Sequence, residues 1–131
     1  MVLHPALRGA IGGLAALLLL WLGWEGISGG VTEWPRTATP WQRAQSATQF
    51  VYGAFAILAL ITAFRWRQFR RLADVCFVVS SSAAAGLAVV VWGGHSILSG
   101  VATAIGSAAV AAVLVWMIHV GVPGTPSTSR T

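Results

Sequence analysis

Four stretches of this chain, at 10–31, 44–64, 72–92 and 97–120, each match the run of about 20 mostly apolar residues that a helix needs to cross the hydrocarbon of a bilayer. They end at Glu33-Trp34-Pro35-Arg36, at Arg65 to Arg71, at Gly93-Gly94-His95-Ser96 and at Val122-Pro123-Gly124. Gaps this short force consecutive helices to lie beside one another in opposite directions. The expected fold is therefore all-α: an integral membrane protein built as an antiparallel four-helix transmembrane bundle with short loops. It forms one domain over 1–121, followed by a loose polar tail at 122–131 with nothing to bury.

Composition closes off the main alternative. Only 8% of the 131 residues are charged, against about 25% in an ordinary soluble domain. Eight arginines, two glutamates and one aspartate are too few to coat a water-facing surface. The formal charge of +5 would suggest a nucleic-acid binder in a soluble chain. Here the arginines collect at helix ends, where they orient membrane spans, and no nucleic-acid partner is expected. Arg8 followed by an apolar run also has the look of a cleaved leader, but no A-x-A site follows and the run continues through Gly26, Ile27 and Val31. A retained first span is the expectation. Cys76 is the only cysteine, lies in an apolar run, and reads as a small packing residue.

Orientation follows from the short loops. Arg65, Arg67, Arg70 and Arg71, with Arg8 and Arg130, put six arginines on one side against Arg36 and Arg43 on the other. Positive residues stay on the cytoplasmic side, so both termini are expected there. Trp34, Trp41 and Trp92 then fall at the outer boundary and Trp66 and Trp116 near the inner one, as interfacial anchors should. Trp21 and Trp24 lie deeper, against other helices or lipid. Alanine-rich, lysine-free composition points to a high-GC bacterial genome, hence to a bacterial cytoplasmic membrane.

Lipid gives helices no hydrophobic reason to associate, so small residues that admit close backbone approach must do much of the packing. Gly100, Ala104, Ala108 and Ala112 recur every fourth residue and read as one narrow ridge on the fourth span. Ser82 and Gly86 on the third have the same spacing. Spans three and four are therefore expected to form the tightest pair, with Gly9 and Gly13, and Gly26 and Gly30, repeating the pattern on span one. Small-residue faces exceed what one small bundle must use, so the chain is expected to associate with other membrane subunits or with itself.

Ionisable groups inside a span are suspects for function. Glu25 lies about 9 Å inside the outer end of span one, at 1.5 Å per residue. Gln45, Thr48, Gln49 and Tyr52 share a face of span two at the same depth, and His95 sits in the outer turn beside Trp92. Glu25, Gln45, Gln49, Tyr52 and His95 are thus expected to converge on an outer-leaflet pocket able to hydrogen-bond a polar head such as a lipid, a quinone or a pigment. The competing reading has Glu25 pair with Arg36 or Arg43 while the glutamines and tyrosine meet headgroups. Arg65, Arg67, Arg70 and Arg71, interleaved with Trp66 and Phe69, suit an anionic lipid surface or an acidic partner.

Catalysis is not expected, because nucleophile-elbow, zinc-protease, C-x-x-C and phosphate-loop patterns are all missing. His4, His95 and His119 all fall near a boundary, so no pair faces another at mid-membrane to hold a haem, and no metal or cofactor is predicted. In size and span number the chain resembles small multidrug transporters, whose first span carries an essential glutamate, and also DoxX-like proteins. The transporter resemblance implies proton-coupled transport through Glu25; the other implies a quinone-linked membrane protein. Two departures weigh against the transporters: Glu25 is displaced outward from mid-membrane, and six arginines against two do not suit insertion in both directions. The expected function is a non-catalytic accessory or structural subunit of a larger, energy-transducing membrane complex.

Overall fold

In the computed structural model, which describes residues 4–121, four long helices account for most of the chain. Helix α1 runs Pro5–Glu33, α2 Pro40–Phe64, α3 Arg70–Leu87 and α4 Ile97–Gly121. Short 3-10 turns at Trp34–Arg36 and Arg67–Phe69 close the first two connections. A π-helical turn over Ala88–Trp92 extends α3 to the third. All four helices, with these extensions, are long and apolar enough to cross a membrane. The tail expected at 122–131 lies outside the described residues.

Local chemistry explains the helix starts. Pro5 and Pro40 open α1 and α2 at positions where the missing N–H costs nothing. The His4 Nδ1 accepts the Ala6 N–H at 3.1 Å, and the Thr39 hydroxyl accepts the Gln42 N–H at 3.2 Å. Ser96 does the same for Ser99 at the start of α4. In the turn before it, Gly94 takes φ +66°, a left-handed conformation that glycine adopts without strain.

Each helix packs on its chain neighbours, and α4 closes onto α1. Contact partners run in opposite order along α1–α2 and α3–α4: Gly23 meets Ile57 while Gly30 meets Phe50, and Ser81 meets Ser107 while Gly86 meets Gly100. The core is thin and alanine-rich. Ala15, Ala56, Ala59, Ala63 and Ala111 surround Leu19, Leu114, Ile118 and the one large buried ring, Phe77. The outward faces carry the bulky apolar side chains, among them all seven tryptophans, Trp21 and Trp24 included. No more than 28% of any span's most apolar window is buried within the bundle. In water such a surface would aggregate; in lipid it is solvated.

The closest backbone approaches are not where the small-residue pattern of spans three and four placed them. A Cβ added to Gly26 would lie 2.6 Å from the Gly53 Cα, and one on Gly12 would lie 2.7 Å from the Gly121 Cα. The seams α1–α2 and α1–α4 are thus the tightest, while Gly86 and Gly100 of α3–α4 meet slightly looser neighbours at 3.1 and 3.2 Å from each other's backbone. Gly9 and Gly13 face open space.

The fourth-span ridge also divides. Every fourth residue on a helix of 3.6 residues per turn advances by about 40°, so three steps rotate the line by about 120°. Gly100 is accordingly buried against α3, Ala104 and Ala108 are half-buried, and Ala112 is exposed. Serine hydroxyls fill the remaining α3–α4 seam. Ser81 and Ser107 share a 2.7 Å hydrogen bond, and Ser82 donates to the Ala104 carbonyl at 3.0 Å.

Candidate functional site

At the end of the bundle holding the α2 N-terminus, polar side chains enter the helix seams from α2. Gln45 is 4% exposed. Its Oε1 accepts the Trp92 indole N–H at 2.8 Å, and its amide donates weakly to the Gln49 Oε1 at 3.4 Å. The π-helical turn makes the first bond possible. Its i to i+5 hydrogen bond, Gly93 N–H to Ala88 carbonyl at 3.1 Å, adds a residue to the turn and changes the direction in which Trp92 leaves the helix. Gln49 points the other way, its amide lying against Gly29 of α1. The Thr48 hydroxyl bonds back to the Gln45 carbonyl at 2.8 Å, and Ser46, fully buried, donates to the Gly30 carbonyl at 2.8 Å. A polar layer thereby ties α1, α2 and α3 together.

The five residues read from the sequence as one pocket do not meet in one. Gln45 and Gln49 are joined, and Trp92 completes their network. Tyr52 is half-buried and stacks on Phe77, with ring centroids 5.7 Å apart. His95 is exposed in the turn, where its backbone N–H reaches the Val89 carbonyl at 3.3 Å. Glu25 is exposed on α1. It follows Gly23 of the packed face by two residues, about 200° around the helix, and so points away from α2. Neither Arg36 nor Arg43 pairs with it among the described residues.

The opposite end of the bundle holds a cluster that sequence spacing did not reveal. His119 of α4 and Asp74 of α3 place Nε2 and Oδ2 2.8 Å apart, and the Arg70 Nε donates to the same His119 Nε2 at 2.8 Å. Beside them the Arg8 Nε donates to the Val120 carbonyl at 3.1 Å, satisfying one of the unpaired acceptors at the end of α4. Asp74 follows Arg70 by four residues, a spacing that aligns the two on one helix face; its histidine partner is 45 residues away in sequence. Arg65, Arg67 and Arg71 are exposed around the same end, with Trp66 and Phe69 turned outward between them. No group of three or more His, Cys, Asp or Glu side chains suited to a metal occurs among the described residues.

On the outward side, α3 and α4 bound an open groove of about 980 Å³ that reaches the start of α2. Its floor is made of Ser82, Gly86, Gly100, Ala104 and Ala108, its walls of Val79, Val90 and Val101, and its end of Thr39, Trp41 and Gln42. Four of the six residues assigned to a packing or partner face thus serve both the α3–α4 seam and this groove, namely Ser82, Gly86, Gly100 and Ala104. Ala108 lines the groove and Ala112 stands outside it. No protein-family model, no curated protein and no solved structure matches this chain.

Proposed function

We propose that this chain is an antiparallel four-span protein of a bacterial cytoplasmic membrane, with both termini on the cytoplasmic side. In this reading it serves as a non-catalytic accessory subunit of a larger membrane complex. The observation that carries it is the groove between α3 and α4. Ser82, Gly86, Ala104 and Ala108, each half-buried, line it with small side chains beside the buried Gly100, a composition that lets a further transmembrane helix approach closely. The bundle's own tightest seams use other residues, Gly12, Gly26, Gly53 and Gly121, so the α3–α4 face is the more open of the small-residue faces. The arginines support the orientation: Arg8, Arg65, Arg67, Arg70 and Arg71 gather at one end and Arg36 and Arg43 at the other. Arg65, Arg67 and Arg71 at the first end suit anionic lipid headgroups or an acidic segment of the partner.

Proton-coupled transport through Glu25, and a quinone held by the five-residue pocket, draw less support. Glu25 faces away from the packed interior, and the five residues are dispersed over two seams and a turn.

The test is photo-crosslinking in native membranes from a reactive side chain placed at Val79 or Val101 of the groove, with Val113, exposed outside it, as control. Adducts of one defined larger mass from the groove positions alone support an accessory role. An adduct at twice the mass of the chain assigns the face to self-association. Purification as a lone monomer with no adduct overturns the reading.

A further inference from the structure

The cluster Arg70, Asp74 and His119 contains more hydrogen-bond claims on one atom than that atom can satisfy at once. His119 Nε2 lies 2.8 Å from the Arg70 Nε and 2.8 Å from Asp74 Oδ2. The guanidinium is only a donor, so its bond requires a bare Nε2 lone pair. An ionised carboxylate is only an acceptor, so its bond requires a hydrogen on the same Nε2. With Nε2 bare, Arg70 is engaged, and a carboxylate at Asp74 faces lone pair against lone pair. With a hydrogen on Nε2, His119 donates to Asp74 and Arg70 loses its acceptor; only when Nδ1 is protonated too, in the imidazolium, does Arg70 also face a like charge. A neutral imidazole can serve either neighbour by its choice of tautomer, whereas the imidazolium can serve only Asp74.

We propose that Asp74 and His119 form a proton-binding site joining α3 to α4, whose occupancy decides whether Arg70 can be held at His119 or is released from it. The proton comes from water and returns to it: the His119 side chain is 40% exposed, whereas that of Asp74 is 14% exposed. The charged groups facing the pair are Arg70 from α3 itself and, from α1, Arg8, which occupies the neighbouring Val120 carbonyl. The described residues of α2 add no charged partner. Because Arg8 anchors the same last turn of α4, a change at His119 reaches the α1–α4 seam as well as α3. This site is independent of the α3–α4 groove, and its test does not depend on a partner subunit.

Backbone hydrogen exchange of the intact chain in micelles reads the site directly. It is followed at the first turn of α3 and the last turn of α4 between about pH 5 and 8, after correction for intrinsic exchange. The wild-type protein is expected to change protection at both turns by about tenfold across the range, the scale of a hydrogen bond to a charged group. Asp74→Asn and His119→Gln, which keep polar groups but remove the carboxylate or the imidazole, are each expected to flatten that dependence. Glu25→Gln is expected to keep it in full. Should Asp74→Asn fail to fold, His119→Gln reads the same site. A wild-type profile without pH dependence, or full dependence in the His119→Gln protein, overturns the proposal.

Discussion

Gly26 of α1 and Gly53 of α2 pack backbone to backbone: a Cβ on Gly53 would lie 2.5 Å from the Ile27 nitrogen, and one on Gly26 would lie 2.8 Å from the Gln49 carbonyl oxygen. No side-chain movement relieves such a clash, because the obstructing atoms are main chain. Either the helices separate or the seam, with the Ser46 to Gly30 bond beside it, deforms.

Gly26→Ala and Gly53→Ala are therefore each expected to destabilise the bundle by about 1–3 kcal/mol, the usual cost of overpacking. This outweighs the roughly 0.5–1 kcal/mol that alanine gains over glycine within a helix. Gly13→Ala supplies the control, since nothing lies within 4 Å of its added methyl; it should be neutral or stabilising. Unfolding of the three variants in mixed micelles separates the cases. Equal behaviour of Gly13→Ala and Gly26→Ala would contradict the seam.

Trp92→Phe keeps an aromatic ring but removes the indole N–H that satisfies the Gln45 Oε1 at 2.8 Å. With Gln45 only 4% exposed, the carbonyl is left without a donor. The expected loss is about 1–3 kcal/mol, the penalty for an unsatisfied buried polar group. Trp41→Phe, at a tryptophan 68% exposed, should stay within about 0.5 kcal/mol of the parent. A comparable loss in both variants would place the energy in ring burial at the interface instead of in the Gln45 bond.

What could be read before the structure, and what could not, divides by range along the chain. Apolar run length, with breaks at proline, at arginine and at Gly93-Gly94, placed all four helices, because these signals are local. The α4 start at Ile97 and the α2 end at Phe64 agree with the sequence boundaries, while α1 and α2 begin earlier, at prolines that cap them. Seams needed distant partners. Gly12 carries no pattern pointing to Gly121, and the Asp74–His119 pair joins residues 45 apart. The polar face of α2 was legible as a face, yet Gln45 turns to α3 and Gln49 to α1. Two helices flank α2, and spacing alone does not say which of them each residue meets. The π-helical turn that aims Trp92 at Gln45 replaces the regular hydrogen-bond ladder, and helical periodicity offers no sign of it.

Glu25→Gln tests the remaining candidate from the sequence. The side chain lies on the exposed face of α1 with no ion-pair partner among the described residues. Removing its charge should leave stability within about 0.5 kcal/mol, as for a surface substitution away from special features. In reconstituted vesicles it should leave proton flux at the level of the parent protein. A Glu25-dependent flux would reinstate transport as the reading and displace the accessory role.

The arginine asymmetry makes the last prediction, because topology depends on the difference between the two sides and not on any one contact. Counted along the sequence, six arginines stand against Arg36 and Arg43. Changing Arg65, Arg67 and Arg71 together to glutamine leaves three against two. Arg70 and Arg8 are spared, so the bonds to His119 and Val120 survive and the bundle itself should still form. Each of the three substituted residues is exposed, so the expected change is in insertion and not in packing. Reporter fusions at the α1–α2 connection and the α2–α3 connection read which side each loop occupies. The parent should give a single orientation and the triple variant a mixture of the two. A triple variant inserted wholly in the parental sense would show that these arginines do not set the topology, and would leave lipid or partner recognition as their role.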